Sequence, residues 1–491
     1  MNYRISLRLL VLVGIVFSLV SCSDNPALRL RYEAEKMLFN AEKTAAEAKQ
    51  LDKEMLSGVY PAFHNCIEFC YDALNTVDGA TYPVEHKELK YLTFKSSLRL
   101  AELFFSVRQF DSSIAVLNRL IDSIALSDKQ LLQACLNLGQ SLQASGRWDS
   151  ALVVFNFTIE EFYPPVDNLG ELVMPAFNLP GSVYQVFNLI GDSAGAKAAF
   201  ERAESYYRRV IRDFPDTKLE AAAHLALADL YDSVRRWQDE LRELRFLSDS
   251  LLPNYRDILL RMADVHGGGL KDYDTALALY NYLLNDLGEN DTTSMGPEIL
   301  FRISQVKMEQ KDYGEARSVV SRLKKAYPKY YDTIPMPQYV LARSLELDGK
   351  WERAEAEYSL LIEKYRGTDE AMMALLYMID YLQRKGRIEE ARTWRRKAEQ
   401  YYDELATRGR GEVTEARALF YKAELYRRSR DYEAAARILL DVFNKFPDSE
   451  PGRNALRAAE KLYRQQLKDA DVADSLLNLM KKHASTIPEG G

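Results

Sequence analysis

Gly349-Lys350-Trp351-Glu352-Arg353-Ala354-Glu355-Ala356-Glu357-Tyr358 is the stretch that decides the fold. A glycine turn is followed by an aromatic, then a small residue three positions on, then a large one four further. At helical spacing these last three share one face. The small residue lets a second helix backbone come close, the aromatic wedges into the turn, and the large residue fills the space beneath. The pattern recurs. Gly146-Arg147-Trp148 leads to Ala151 and Phe155, Asp272-Tyr273 to Ala276 and Tyr280, Asp312-Tyr313 to Ala316 and Val320, and Asp431-Tyr432 to Ala435 and Leu439. Weaker copies centre on Ser113, Glu240 and Ala391, and one more is marked by Phe200, Ala203, Tyr207 and Val210. Most steps are about 36 to 44 residues, the length of one helix pair. The helix before each marker carries matching partners: Gly139 with Leu138 and Leu142, Ala342 with Leu345, Ala423 with Tyr426. No segment alternates at period two over a useful length. The chain is therefore expected to be all-α, a superhelical solenoid of about nine helical hairpins.

Proline punctuates the units at Phe214-Pro215-Asp216-Thr217, Tyr327-Pro328 and Phe446-Pro447-Asp448-Ser449. Each is expected to end a second helix, and Thr217-Lys218-Leu219-Glu220 has the form of a capping box. Paired helices with small-aromatic-small spacing, closed by proline, resemble the tetratricopeptide repeat. The period is a few residues longer than the usual ~34. The runs Tyr207 to Thr217 and Leu440 to Ser449 resemble a subgroup that includes the tetratricopeptide lipoprotein of the outer-membrane β-barrel assembly machinery. The resulting division is a leader over 1–21, a tether over 22–30, a helical cap over 31–94, and a repeat array over 95–450. An insertion rich in proline and apolar residues interrupts the array at about 163–182. A capping hairpin and tail occupy 451–491.

At the N-terminus, Arg4 and Arg8 precede an apolar run from Leu9 to Val20. As a helix that run spans roughly 18 Å, too short for a bilayer core of about 30 Å, so it reads as a secretion leader. It closes Leu19-Val20-Ser21-Cys22, which resembles the lipobox of bacterial lipoproteins. The resemblance implies fatty acyl chains, palmitate among them, on Cys22, and two or more chains give a stable anchor. Ser23 in place of Asp favours the outer membrane. The expected location is thus the bacterial cell envelope, lipid-anchored in the outer membrane and facing the periplasm.

The 491-residue chain is 47% hydrophobic, enough for a large core, and carries a formal charge of −7. A net acidic surface without a basic stripe argues against nucleic acid as partner. Beyond Cys22 there are Cys66, Cys70 and Cys135, an odd number that forms no disulfide framework. They read as small buried hydrophobes, with a strained Cys66–Cys70 pair as the alternative. His266-Gly267-Gly268-Gly269 resembles an esterase oxyanion motif, but no Gly-x-Ser-x-Gly and no strand accompany it, so it reads as a lengthened hairpin turn. His64, His86, His224 and His483 show no metal spacing. No catalytic residue, metal site or cofactor is assigned, and the chain is not expected to be an enzyme.

Binding is the expected activity. In tetratricopeptide arrays the first helix of each hairpin lines a groove. That face here carries Phe301, Gln305 and Met308, then Tyr339 and Arg343, then Asp380 and Arg384, then Phe420, Glu424, Arg427 and Arg428. Arginine grips carboxylates bidentately and aromatics supply contact area. The set Phe301, Tyr339, Arg343, Arg384, Phe420, Arg427 and Arg428 is the candidate groove. Local acids, Glu346 and Glu424 among them, could instead hold these arginines in a solvated face. The earlier groove, with Gln133, Leu136, Gln140 and Gln143, is more neutral. The leading reading is an envelope scaffold that binds other proteins or peptides, in barrel assembly, division or export. The alternative is a glycan- or peptidoglycan-binding module using the Tyr-rich surface.

Overall fold

The computed structural model describes residues 25–48, 56–164, 171–190, 192–249, 255–288, 293–447 and 449–484. The leader and Cys22 lie outside the described residues. Among the described residues every regular element is helical, and none is long and apolar enough to cross a membrane. The chain divides into two compact units, residues 1–199 with 484–491, and residues 200–483.

In the first unit, α1 (Pro26–Ala48) and α2 (Leu56–Thr76) pair and pack on α3 (Pro83–Ser106). The α1 stripe of Ala27, Ala34, Leu38, Ala41 and Ala45 is buried with Phe63, Cys66 and Cys70 of α2. Helix α1 starts inside the expected tether. The signal is local: the Asn25 side chain accepts from the Ala27 and Leu28 amides at 3.0 and 3.1 Å, and Pro26 takes the first helical position. Helix α3 starts at Pro83, after a turn in which Asp78 caps Ala80 and Thr81, and so spans the expected boundary at 95.

Next come α4 (Phe110–Ser123), α5 (Asp128–Ala144) and α6 (Trp148–Glu161). A Cβ placed on Gly139 of α5 would lie 2.1 Å from the Phe155 ring of α6, so only glycine fits there. At the weaker marker Ser113, the hydroxyl donates to the Ala101 carbonyl at 2.9 Å and meets Ser141 at 3.0 Å, which is how a polar residue occupies a buried small-residue position. The second half of the expected insertion is helical. Residues 173–190 form α7 (Val173–Ile190), with Phe177, Leu179 and Val183 buried. Pro180 lies inside the helix and interrupts the helical pattern in the sequence. Helix α8 (Ser193–Asp213) runs through residue 199 into the second unit.

The second unit continues with α9 (Lys218–Ser233), α10 (Trp237–Asp249), α11 (Tyr255–Asp264), α12 (Tyr273–Leu287), α13 (Met295–Glu309) and α14 (Tyr313–Ala326). Pro328 does more than stop α14: it opens the short α15 (Pro328–Thr333). Then follow α16 (Met336–Leu347), α17 (Trp351–Lys364), α18 (Asp369–Arg384), α19 (Ile388–Arg408), α20 (Val413–Arg428), α21 (Tyr432–Lys445), α22 (Glu450–Leu462) and α23 (Ala470–Ala484). The marker residues Ala276, Ala316, Ala354, Ala391 and Ala435 are all buried. Cores form between successive hairpins, Ala354 and Tyr358 packing with Met372, Leu375 and Ile379 of the next pair.

Eight of the hairpin turns share one backbone solution. Two residues before the second helix sits a residue in the left-handed region: Arg108, Gly146, Arg235, Lys271, Lys311, Gly349, Gly386 and Arg430. Asp272, Asp312 and Asp431 then cap the helices α12, α14 and α21. Thr217 caps the Glu220 amide as expected, while the Glu220 carboxylate accepts from Asp216 rather than from Thr217. The His266 to Gly269 run forms a π-helical turn, Val265–Leu270. A Cβ on Gly269 would lie 2.8 Å from the Trp237 ring, so the glycine makes room for that aromatic. His266 Nδ1 meets the Asp272 carboxylate at 3.0 Å.

Candidate interaction groove

The first helices α13, α16, α18, α20 and α22 lie side by side, each touching the next. They therefore present one continuous row, and the candidate residues project from it. Phe301 and Met308 are half-buried against the core of α12 to α14. Tyr339 is half-buried, 6.1 Å from Tyr358, and burial raises its pKa.

Arg343 sits in a closed network. Its guanidinium donates to Glu346 Oε1 at 2.5 Å. Tyr358 of α17 donates to Glu346 Oε2 at 3.0 Å, and Tyr377 of α18 donates to Oε1. The Arg343 guanidinium also lies 4.9 Å over the Tyr377 ring. Glu346 is 9% exposed, so its charge is compensated by three donors from three helices. Burial first, and then the neighbouring carboxylate, push the Tyr358 hydroxyl far above its ordinary pKa, keeping it a donor.

Beside this network Tyr381 stacks on Trp351, ring centres 3.7 Å apart and 8° from parallel. Phe420 and Tyr421 meet edge to face at 5.9 Å, and Tyr421 stacks over Tyr402 at 6.4 Å. Arg427 grips Glu424 with Nε at 2.9 Å and Nη2 at 2.7 Å, which raises the guanidinium pKa. Arg428 pairs with Asp380 of α18. Arg384 is exposed, and its side chain reaches the carbonyl of Asp380 in its own helix at 3.3 Å.

Three of the four arginines are thus engaged by acids of the same row, and the aromatics fill the seams between them. Tyr377 and Tyr381 belong to the same surface and were not singled out from sequence. Their signal was the spacing Tyr377, Asp380, Tyr381, Arg384 on one face of α18.

A second run of charge lies on α8 to α13. Arg261 binds Glu240 at 2.7 Å and also pairs with Asp229. Tyr280 donates to Asp264 at 2.6 Å, and Arg302 closes on the same carboxylate at 2.6 Å. Burial outweighs these partners and holds the Asp264 and Glu240 carboxyls above their ordinary range. His224 Nδ1 meets Glu243 at 2.7 Å, and Arg208 joins that carboxylate at 3.3 Å.

The tetratricopeptide repeat pattern matches residues 417–449, which cover most of α20 and all of α21. No curated protein matches the chain. Among solved structures, the chain is similar to a tetratricopeptide repeat protein from Parabacteroides merdae, at 17% identity and a TM-score of 0.33. That match covers 61% of this chain and 99% of that one. It is similar to yeast Tom70 at 13% identity and a TM-score of 0.36, with 91% of each chain covered. It is similar to the apo form of RapI at 13% identity and a TM-score of 0.41, covering 77% of this chain and 99% of that one. The repeat match and the hairpin geometry agree: the chain is a solenoid of tetratricopeptide-like hairpins, a fold suited to holding other proteins or peptides.

Proposed function

We propose that this protein is a scaffold of the bacterial cell envelope, anchored by lipid on Cys22 and binding partner proteins or peptides along the row α13 to α20. The carrying observation is the surface of α16, α18 and α20, where half-exposed aromatics are held by ion pairs already formed. Such side chains lose little freedom when a partner arrives. An acidic peptide would meet Arg384, an exposed cation of that row without an acid partner among the described residues, with Tyr381 one turn before it on α18. The lipobox-like Ser21-Cys22-Ser23 supports an outer-membrane address facing the periplasm, and the runs ending at Thr217 and Ser449 support a role beside barrel assembly.

Crosslinking in cells with mass spectrometry is expected to recover defined envelope proteins bound at α16 to α20. Arg384→Glu is expected to weaken that capture without changing the melting curve. Recovery of purified cell-wall glycan and no protein would replace the scaffold reading with a glycan-binding one. A Cys22→Ala chain that still fractionates with membranes would remove the lipid anchor.

A further inference from the structure

One exposed face of α1 is not used by hairpin packing. Tyr32 is 62% exposed and Phe39 is 66% exposed. At 100° per residue they fall with Arg29, Lys36 and Lys43 on the side opposite the buried stripe of Ala27, Ala34, Leu38, Ala41 and Ala45. The order along that face is cation, ring, cation, ring, cation. Arg29 and Lys36 make no ion pair among the described residues, and Lys43 has Glu47 at 4.0 Å. The acids Glu35 and Glu42 turn instead toward the seam with α3, where they meet Arg31 at 2.7 Å and Lys95 at 2.9 Å. On the α3 side of that seam Tyr91 is 48% exposed.

Large rings exposed singly need no explanation, but rings alternating with cations on one helix face, two of the three cations without an acid partner among the described residues, do. Protein interfaces deplete lysine at their centres. A lipid headgroup layer favours this mixture: aromatic rings settle at the water boundary, cations meet phosphates, and long stems lie along the apolar boundary. Cys22 stands four residues before Pro26, a reach of about 14 Å in extended chain. We propose that this face of α1, with Tyr91 beside it, docks on an anionic phospholipid surface and so sets how the first unit lies on the membrane. Proximity to lipid rests on the anchor at Cys22; the docking face itself rests on the residues of α1.

The test places the full chain in vesicles of phosphatidylcholine with phosphatidylglycerol whose acyl chains are brominated. Phe39→Trp, and separately Tyr32→Trp, report on the face; Tyr282→Trp, at an exposed position of α12, is the control. The fluorescence added at positions 39 and 32 is expected to be quenched by the bromolipid, and that at 282 to be unaffected. Lys36→Gln and Lys43→Gln are each expected to lower the docked-to-undocked ratio about fivefold, the effect of one cation at an anionic surface. Pure phosphatidylcholine is expected to weaken quenching in the same direction. A chain that floats with the vesicles but shows no quenching at 39 and 32 overturns the docking and leaves the anchor standing. A photo-crosslinker at 39 that captures a second copy, or another protein, overturns it too. A chain that does not float at all overturns both.

Discussion

Two hairpins carry the same repeat positions and solve them differently. In α5 and α6 the set is Gly139, Gln143 and Phe155; in α16 and α17 it is Ala342, Glu346 and Tyr358. The first is a steric lock. Phe155 occupies the space a Cβ on residue 139 would need, and its ring, unlike a tyrosine's, asks for no acceptor. The second has one more atom at the same depth, the Tyr358 hydroxyl. That hydroxyl demands an acceptor, Glu346 supplies it, and the buried carboxylate in turn demands Arg343 and Tyr377. A single added oxygen in the repeat thus recruits charge into the first-helix row and ties α16 to α18. The earlier hairpin, with Phe at that position, leaves its row neutral. The lesson is that the polarity of the groove is set partly from behind, by what the second helix buries.

The largest break in this comparison is expected from Glu346→Leu. It strands Arg343 and two hydroxyls, and removing one partner of a buried pair costs about 3–5 kcal/mol. The same change at Gln143 is expected to fall within about 0.5 kcal/mol of the parent. Urea unfolding of the two variants reads the contrast, and equal losses would refute it. Next comes the steric lock. Gly139→Ala is expected to cost about 1–3 kcal/mol through overpacking against Phe155, with recovery when Phe155→Leu is added. Ala342→Gly in the other hairpin is expected to cost only about 1 kcal/mol, the propensity difference.

A third hairpin sharpens the polar solution. Tyr280, at the Tyr358 position, donates to Asp264, whose carboxyl burial holds above the ordinary value of 3.8. A carboxyl raised in the folded state binds its proton earlier than the unfolded chain does. Its contribution to stability therefore grows as pH falls through the raised value toward 3.8, and fades as pH rises. The stability of the parent relative to Asp264→Asn is expected to increase over that fall, measured by urea melts at successive pH values. A gap that narrows would show that the ion pair with Arg302 outweighs burial.

The smallest effect is expected at the turns. Gly146 and Gly349 hold the left-handed position in the two compared hairpins, whereas Lys311 holds it in α13–α14. Lys311→Gly relieves about 1 kcal/mol of backbone strain and gives part of it back as unfolded-chain entropy. A gain of a few tenths of a kcal/mol in thermal unfolding is the expected result, and a loss would mean that the lysine side chain supports the turn.

The amino-acid sequence alone determined the all-helical class, the hairpin unit and its period. Those depend on local spacing, and local spacing survives in one dimension: Trp351, Ala354 and Tyr358 announce a face whatever packs on it. The start of α1 is local too, written in Asn25-Pro26. The tertiary structure decided the rest. Lysine and arginine at left-handed turn positions carry no sequence signal, because the packing of the flanking helices imposes the conformation. Helix α7 was obscured because Pro180 breaks the pattern while Phe177 and Val183 still find a core to fill. The state of the groove lies in the same class. Sequence placed Arg343, Arg384, Arg427 and Arg428 on one row, but which of them is engaged depends on acids brought from neighbouring helices. Glu346 sits three residues from Arg343, yet its other donors stand 12 and 31 residues away, at Tyr358 and Tyr377. Only the folding of three helices into contact decides that this carboxylate is satisfied, and so which cation, Arg384, is left facing outward.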